Sequence, residues 1–288
     1  MNYSPLRYPG GKAKLYKLVS YMIRKTGDEV VYIEPFVGGG GLALSLLLNH
    51  DVQSIVINDS DKGIYSFWKA ILTETSKFVR LIEETPVTID EWYRQKEILN
   101  KKNKRYSLEL GFATFYMNRT NRSGVIKAGP IGGYSQKGKY KLDCRFNKKE
   151  LIARILRVAS NRNRIKVYNY DIKTFTKIVL PKYENRFTYY DPPYYIKGAE
   201  LYKNFLTHDD HVFISEMIKK DLSNWLVTYD NVPEIVQLYQ NYKINKFLLN
   251  YSVANSGLAE ELIFSSNDLL WPSTEEINKL KLNLKMGR

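Results

Sequence analysis

The chain has 288 residues with a hydrophobic content of 44%, enough to bury a real core as one large domain or two modest ones. A formal net charge of +14, a pI near 9.5 and 23 tyrosines point to a polyanionic partner, nucleic acid first, with rings available to stack on bases. The lone Cys144 excludes an intramolecular disulfide, and no Cys/His cluster has metal-ligand spacing. Leu42–Leu48 is too short to span a bilayer and Met1-Asn2-Tyr3 begins no apolar signal core, so a soluble, cytoplasmic, metal-free protein is expected. A compositional bias of the source genome gives the same totals, so the distribution of charge along the chain has to decide.

The first feature in chain order is Leu6-Arg7-Tyr8-Pro9-Gly10-Gly11-Lys12, where a glycine pair brings backbone close to a ligand and presents a lysine. It is not a P-loop, because Ala13 follows the lysine and no glycine lies five positions before Gly11. Val30–Ile33 reads as a strand and Glu34-Pro35-Phe36-Val37 leads out of it. A glycine run from Gly38 to Gly41 follows, then a helix over Leu42–Leu48. A second strand, Gln53–Ile57, ends at Asn58-Asp59, with Gly38 preceding Asp59 by 21 positions. In a nucleotide-binding β–loop–α–β unit the glycines admit the ligand and an acid at that distance accepts from ribose hydroxyls. Gly38-x-Gly40-x-x-Ala43 alone also fits a nicotinamide-dependent oxidoreductase or a purely structural turn, so other residues have to break the tie.

From 63 to 162 the pattern becomes helical, through Ile64, Phe67, Trp68 and Ile71, then Phe78, Leu81 and Ile82, then Leu108, Phe112, Phe115 and Tyr116. A glycine-rich stretch from Gly124 to Gly138 comes next. Basic residues crowd this region, among them Lys101, Lys102, Lys104, Arg119, Arg122, Lys137 and Lys139, with few acids between them. Such clustering favours phosphate contact. Asn118-Arg119-Thr120-Asn121-Arg122-Ser123-Gly124 offers side chains for base reading, since Arg pairs bidentately with guanine and Asn with adenine.

Strand and helix alternate again after residue 163. Arg164–Tyr168 leads to Asn169-Tyr170-Asp171, Phe187–Tyr190 runs into Asp191-Pro192-Pro193-Tyr194, and Trp225–Tyr229 ends in Asp230. Leu248–Val253 and Glu261–Ser265 suggest a terminal antiparallel pair. Asp230 reads as a turn-forming acid, and His208 and His211 as residues of a surface helix.

Asp191-Pro192-Pro193-Tyr194 carries the most chemistry. Consecutive prolines cannot continue a ladder, so they lift the chain from the carboxyl end of a strand with their carbonyls free. An acid, bare carbonyls and a ring then suit a flat base with an exocyclic amine: oxygen atoms accept the amine hydrogens while the ring stacks on the base.

In this order, Tyr8 to Lys12, Glu34 to Gly40, Asn58-Asp59 and Asp191 to Tyr194 resemble the Dam-type (D12 class) S-adenosylmethionine-dependent DNA adenine-N6 methyltransferases over most of the chain. The resemblance implies an α/β fold. A Rossmann-like methyltransferase sheet would form from 1–62 and 163–288, with an inserted, mainly helical target-recognition domain at 63–162. It implies S-adenosyl-L-methionine as cofactor and double-stranded DNA as partner, with no metal and no membrane; a monomer is compatible. Carried over by position, Tyr8, Lys12, Phe36, Gly38, Gly40, Asp59, Asp171 and Asp191 bind the cofactor, Asp171 near its adenine. Asp191, Pro192, Pro193 and Tyr194 act on a flipped-out adenine. Asn118, Arg119, Asn121, Arg122, Lys137 and Lys139 contact DNA, the segment from Asn118 to Gly124 resembling the family's base-contacting loop only loosely. Two alternatives stand beside this: methylation of cytosine N4, disfavoured by Asp in place of Ser before Pro-Pro-Tyr, and a non-catalytic DNA-binding protein on the same scaffold.

Overall fold

The structure is a computed structural model that describes residues 3–8, 11–101, 105–196, 206–250, 258–282 and 284–285. Pro9 and Gly10 of the first motif, Lys102 and Lys104 of the basic region, and 251–253 of the expected terminal strand lie outside the described residues.

Among these residues the strands are Val31–Glu34 (β1), Ser54–Asn58 (β2), Ile165–Tyr168 (β3), Arg186–Tyr190 (β4), Asn224–Asp230 (β5), Asn245–Asn250 (β6), Leu258–Ser265 (β7) and Leu284–Lys285 (β8). They form one sheet in the order β3-β2-β1-β4-β5-β7-β6-β8. The first five are parallel, and β7 runs antiparallel between β5 and β6. The order reverses between β1 and β4, so a crevice opens at their carboxyl ends, where open α/β sheets place ligands.

The parallel strands are buried on both faces, which is why they read as near-continuous apolar runs. Alternate residues serve opposite sides. Tyr32, Ile55, Ile57, Phe187 and Tyr189 join one large cluster. Ile33 and Val56 pack on the other face against Phe175, Val179 and Leu180, while Tyr190, Val227 and Tyr229 meet Ile214, Ile218 and Ile235. Fully burying one such side chain contributes roughly 1.5–3 kcal/mol, so the central strands are the most costly to disturb.

Among the described residues the α-helices are Tyr16–Thr26 (α1), Gly41–Leu48 (α2), Lys62–Thr73 (α3), Thr75–Glu84 (α4), Ile89–Asn100 (α5), Leu108–Thr120 (α6), Lys148–Ala159 (α7), Ile172–Ile178 (α8), His208–Lys219 (α9), Pro233–Leu238 (α10) and Thr274–Leu280 (α11). The expected insertion is helical, but it is not a detached globule. Its boundary at 62/63 falls within the first turn of α3, which starts where the Asp61 carboxylate accepts the amide hydrogens of Gly63 and Ile64. Phe67 stacks on Phe115 at 5.8 Å, and Phe78 meets Phe112 at 5.7 Å and Phe115 at 5.5 Å. These rings belong to the same cluster as the sheet residues Tyr32 and Phe187. Helix α6 is buried nearly all round, from Leu110 to Thr120, as a helix surrounded by protein must be.

One expectation is overturned here. His211 lies on α9 but is fully buried, its ring 5.0 Å from that of Tyr195 and its Nδ1 3.4 Å from the Tyr229 hydroxyl. Burial pushes its pKa down, so it is held as a neutral packing residue.

Candidate active site

At the crevice lies a cavity of about 280 Å³, lined by Tyr8, Lys12, Glu34, Phe36, Gly38 to Gly41, Asp59, Asp61, Asp191 and Pro193, among others. The glycine loop needs its glycines. Gly38 and Gly40 have φ of 46° and 59°, and a Cβ on Gly38 would lie 2.6 Å from the Tyr8 ring, which covers the loop. The Trp68 indole N–H donates to the Gly38 carbonyl at 3.0 Å, tying the first helix of the insertion to this loop.

Asp59 sits where β2 ends. Its carboxylate accepts from the Gly38 N–H at 3.0 Å and the Asp61 N–H at 2.9 Å, while burial and the Asp61 charge push its pKa up to about 7. Each oxygen keeps a lone pair for a ligand hydroxyl. Glu34, at the end of β1, accepts from the Tyr32 hydroxyl at 2.7 Å, and burial pushes its carboxyl up to about 8. Sequence reasoning gave Glu34 no role; its signal was an acid placed directly after an apolar strand.

Asp191 begins the loop after β4. Lys12, carried on the 3-10 turn Lys12–Leu15, donates from Nζ to both its oxygens at 2.7 and 2.9 Å. Lys12 Nζ also lies 3.2 Å from the Tyr194 hydroxyl and 3.6 Å from Glu261 Oε2. The Tyr194 hydroxyl donates to Glu261 Oε1, and the Thr228 hydroxyl, itself paired with Tyr189, donates to Asp191 Oδ1 at 3.0 Å. Burial opposes the Lys12 charge, but Asp191 and Glu261 outweigh it and raise its pKa well above the ordinary value. For Asp191, burial pushes the pKa up, Lys12 pulls it down and Glu261 pushes it up, leaving it above the usual carboxylate value. About a quarter of the Asp191 side chain, 25%, is accessible from the cavity side, so the ion pair does not seal it off. Lys12, expected to bind cofactor, therefore touches the Asp191 carboxylate directly.

Tyr194 departs from expectation. Its ring is 4% exposed and does not line the cavity, because its hydroxyl is drawn inward to Lys12 and Glu261. The stacking face assigned to it is not presented in this arrangement. Pro192 is buried beside it, and Pro193 lines the cavity. Beyond them, the N–H groups of Tyr195 and Ile196 donate to Asp230 at 2.9 and 3.0 Å, so Asp230 serves as the loop anchor that the turn-forming reading expected. Asp171 stands away from the cavity lining. It is exposed and caps α8, accepting from the Thr174 N–H and hydroxyl, bonds that hold its pKa down.

The expected base-reading segment is corrected in part. Asn118 and Asn121 are both 0% exposed. The Asn118 amide bridges the Arg7 N–H and carbonyl at 2.7 and 2.6 Å and reaches the Gly124 carbonyl at 2.9 Å. Asn121 accepts from the Trp92 indole at 2.7 Å and donates to the Val125 and Ile126 carbonyls. With these groups committed, neither amide reads a base; both brace the loop that follows α6. Arg119 is half-buried, donating to the Arg145 carbonyl at 2.7 Å, with burial and the Arg7 and Arg154 charges pushing its pKa down to about 10. Arg122, Lys137 and Lys139 are exposed. The braced loop does reach the cavity, which Gly124, Val125, Ile126 and Lys127 help to line. Sequence reasoning missed that contribution.

The described residues hold no group of three or more metal-ligating side chains, and none of their helices is long and apolar enough to cross a membrane. The cavity instead combines acids with close-approach backbone, a set suited to a ligand bearing hydroxyls and positive charge.

Residues 8–252 match the family model of the D12 class N6 adenine-specific DNA methyltransferase. The chain is 24% identical over 271 residues to the Type II methyltransferase M.MjaIII of Methanocaldococcus jannaschii, covering 84% of this chain and 89% of that protein. Among solved structures it is similar to the rRNA methyltransferase aviRa of Streptomyces viridochromogenes (14% identity, TM-score 0.43, covering 90% of this chain and 86% of that one). It is also similar to a putative RNA methyltransferase of Pyrococcus horikoshii (10% identity, TM-score 0.41, covering 90% and 83%).

Proposed function

Because the chain belongs to the D12 class of N6 adenine-specific DNA methyltransferases, we propose that its methyl donor is S-adenosylmethionine, held between the glycine loop and Asp59, and that Asp191 receives the target amine. The observation that carries this is the meeting of the glycine loop, Asp59 and Asp191 on one cavity at the sheet's switch point. The residues fit that donor. Asp59 accepts from ribose hydroxyls, Gly38 and Gly40 let the backbone come close, and the acids Asp59 and Asp191 suit a cation. When bound, the donor supplies an activated methyl group on a sulfonium, a good leaving group.

Adenine N6 is a weak nucleophile because its lone pair is delocalised into the ring. Hydrogen bonds from its N–H groups to Asp191 and the Pro192 carbonyl would localise that pair and offset the positive charge growing on nitrogen. Thr228 and Lys12 hold the Asp191 carboxylate in place, so its orientation is set before substrate arrives. The N–C bond would form as the donor's C–S bond breaks, the sulfonium leaving as a neutral thioether, and the surplus N6 proton would pass to the Asp191 carboxylate and from there to water; no covalent link to the protein is needed.

The adenine lies in double-stranded DNA and must swing out of the stack, at a cost of a few kcal/mol. Helices α3 to α7 and their connecting loops form the target-recognition part, with Arg122, Lys137 and Lys139 meeting the backbone. The test is incubation of purified protein with methyl-labelled S-adenosylmethionine and duplex DNA, followed by nucleoside analysis. Label in N6-methyladenine is expected; label confined to cytosine, or in neither base, would contradict the proposal.

A further inference from the structure

Glu261 lies on β7, 2% exposed, in a strand whose neighbouring residues Leu262 to Phe264 are apolar. A buried carboxylate is costly unless it is paired. Here it faces Lys12 Nζ at 3.6 Å and accepts the Tyr194 hydroxyl hydrogen, and Tyr194 in turn lies 3.2 Å from the same ammonium. The cluster therefore holds one cation between two carboxylates, Asp191 and Glu261, with Tyr194 bridging the cation to the second. Register explains how β7 reaches this point. Glu261 pairs with Asp230 across β5 and β7, so two adjacent sheet positions hold the end of the tetrapeptide and the turn after it: Glu261 takes the Tyr194 hydroxyl and Asp230 the N–H groups of Tyr195 and Ile196.

We propose that Glu261 is a positioning residue for methyl transfer: with the Tyr194 hydroxyl it draws part of the Lys12 charge away from Asp191, leaving that carboxylate able to accept the hydrogens of the adenine amine. The inference rests on the role given above to Asp191. Without the second carboxylate, Lys12 would bind Asp191 alone. A carboxylate fully claimed by an ammonium is a poor acceptor for a neutral amine. The electrostatics point the same way, since Lys12 pulls the Asp191 pKa down and Glu261 pushes it up. The other titratable groups whose charge couples to Asp191, namely Tyr32, Glu34, Tyr189 and Tyr229, all stay in place on substitution at 261, and of them Tyr189 also feels Glu261 directly.

The test is Glu261→Gln in the full chain, assayed by single-turnover methyl transfer as a function of pH. The rate is expected to fall between about 10- and 100-fold, the cost of losing orientation at the reacting group. The acid limb of its pH profile should move to lower pH, because Asp191 would lose a proton-favouring neighbour. The KM for S-adenosylmethionine should stay within about twofold. A merely structural role would lower the rate with the acid limb unmoved, and that result, like an unchanged rate, would overturn the proposal. Should Glu261→Gln fail to accumulate folded, Glu261→Asp keeps the charge but draws it back from Lys12 and Asp191; it must shift the limb in the same direction by a smaller amount or the proposal fails. The wild-type reaction on adenine tests the proposed function, and the variant-to-wild-type difference alone tests Glu261.

Discussion

The transfer site and the loop after α6 use charge in opposite ways. Around Asp191 the ionised groups are few, buried and directly paired: one cation, Lys12, faces the two carboxylates Asp191 and Glu261, and Thr228 and Tyr194 complete the cluster. From Arg119 to Lys149 the chain carries nine Lys and Arg residues against the single acid Asp143, and Arg122, Lys137 and Lys139 project into solvent beside the exposed rings of Tyr134 and Tyr140. Fixed, desolvated dipoles suit a reaction whose charge develops at one atom. An unmatched exposed surface suits a polyanion whose charges are numerous, screened and individually weak in their attraction. Between them stand Asn118 and Asn121, polar groups spent on holding the loop in shape.

The largest effect separating the two regions is expected at Asp191. Asp191→Ala should slow methyl transfer by about 100-fold or more, the scale of removing one preorganised electrostatic group, while DNA binding by filter retention is kept. Asn118→Ala should act on the fold rather than on recognition. It leaves the Arg7 N–H and the Arg7 and Gly124 carbonyls without their partner, at about 1–3 kcal/mol for each group left unsatisfied, read as a lowered melting temperature. An unchanged melting temperature with altered sequence preference would return Asn118 to the recognition set.

Smaller effects sharpen the contrast. With its pKa near 7, Asp59 is largely protonated at pH 6 and ionised at pH 8, and the ionised form is the stronger acceptor. Affinity for S-adenosylmethionine, measured by calorimetry, should therefore rise across that interval in the wild type and rise less in Asp59→Asn, where Glu34, pushed up to about 8, is still ionising. In the loop, the double change Lys137→Ala with Lys139→Ala should reduce the slope of log affinity against log salt by about 2, roughly one for each phosphate no longer neutralised. Asp171→Ala is expected to cost about 1 kcal/mol in stability through removal of the α8 cap, measured by urea denaturation.

Much of the first half of the site was legible because it is local. The glycine loop, Asp59 and Asp191 each sit at the end of an apolar strand, and a parallel sheet gathers such ends on one edge. Glu261 and Thr228 were not legible, since they reach Asp191 and Tyr194 only through sheet register, 67 positions beyond Tyr194 and 37 beyond Asp191. Asn118 and Asn121 were misread because an amide that fits adenine fits two peptide groups equally well. The discriminating signal was the company they keep: α6 is apolar nearly all round, leaving no solvent face for a reader. The contact of Lys12 with Asp191 was not foreseen, because spacing alone does not say which of several acids a lysine meets.

The most direct test of the division between buried chemistry and exposed recognition is single-turnover methyl transfer at saturating duplex DNA, measured alongside the DNA Kd, in Asp191→Ala and in the Lys137→Ala, Lys139→Ala pair. The predicted result is an abolished rate with unchanged Kd in the first and a weakened Kd with unchanged rate in the second. A weakened Kd in Asp191→Ala with its rate intact, or an abolished rate in the lysine pair at saturating DNA, would contradict it.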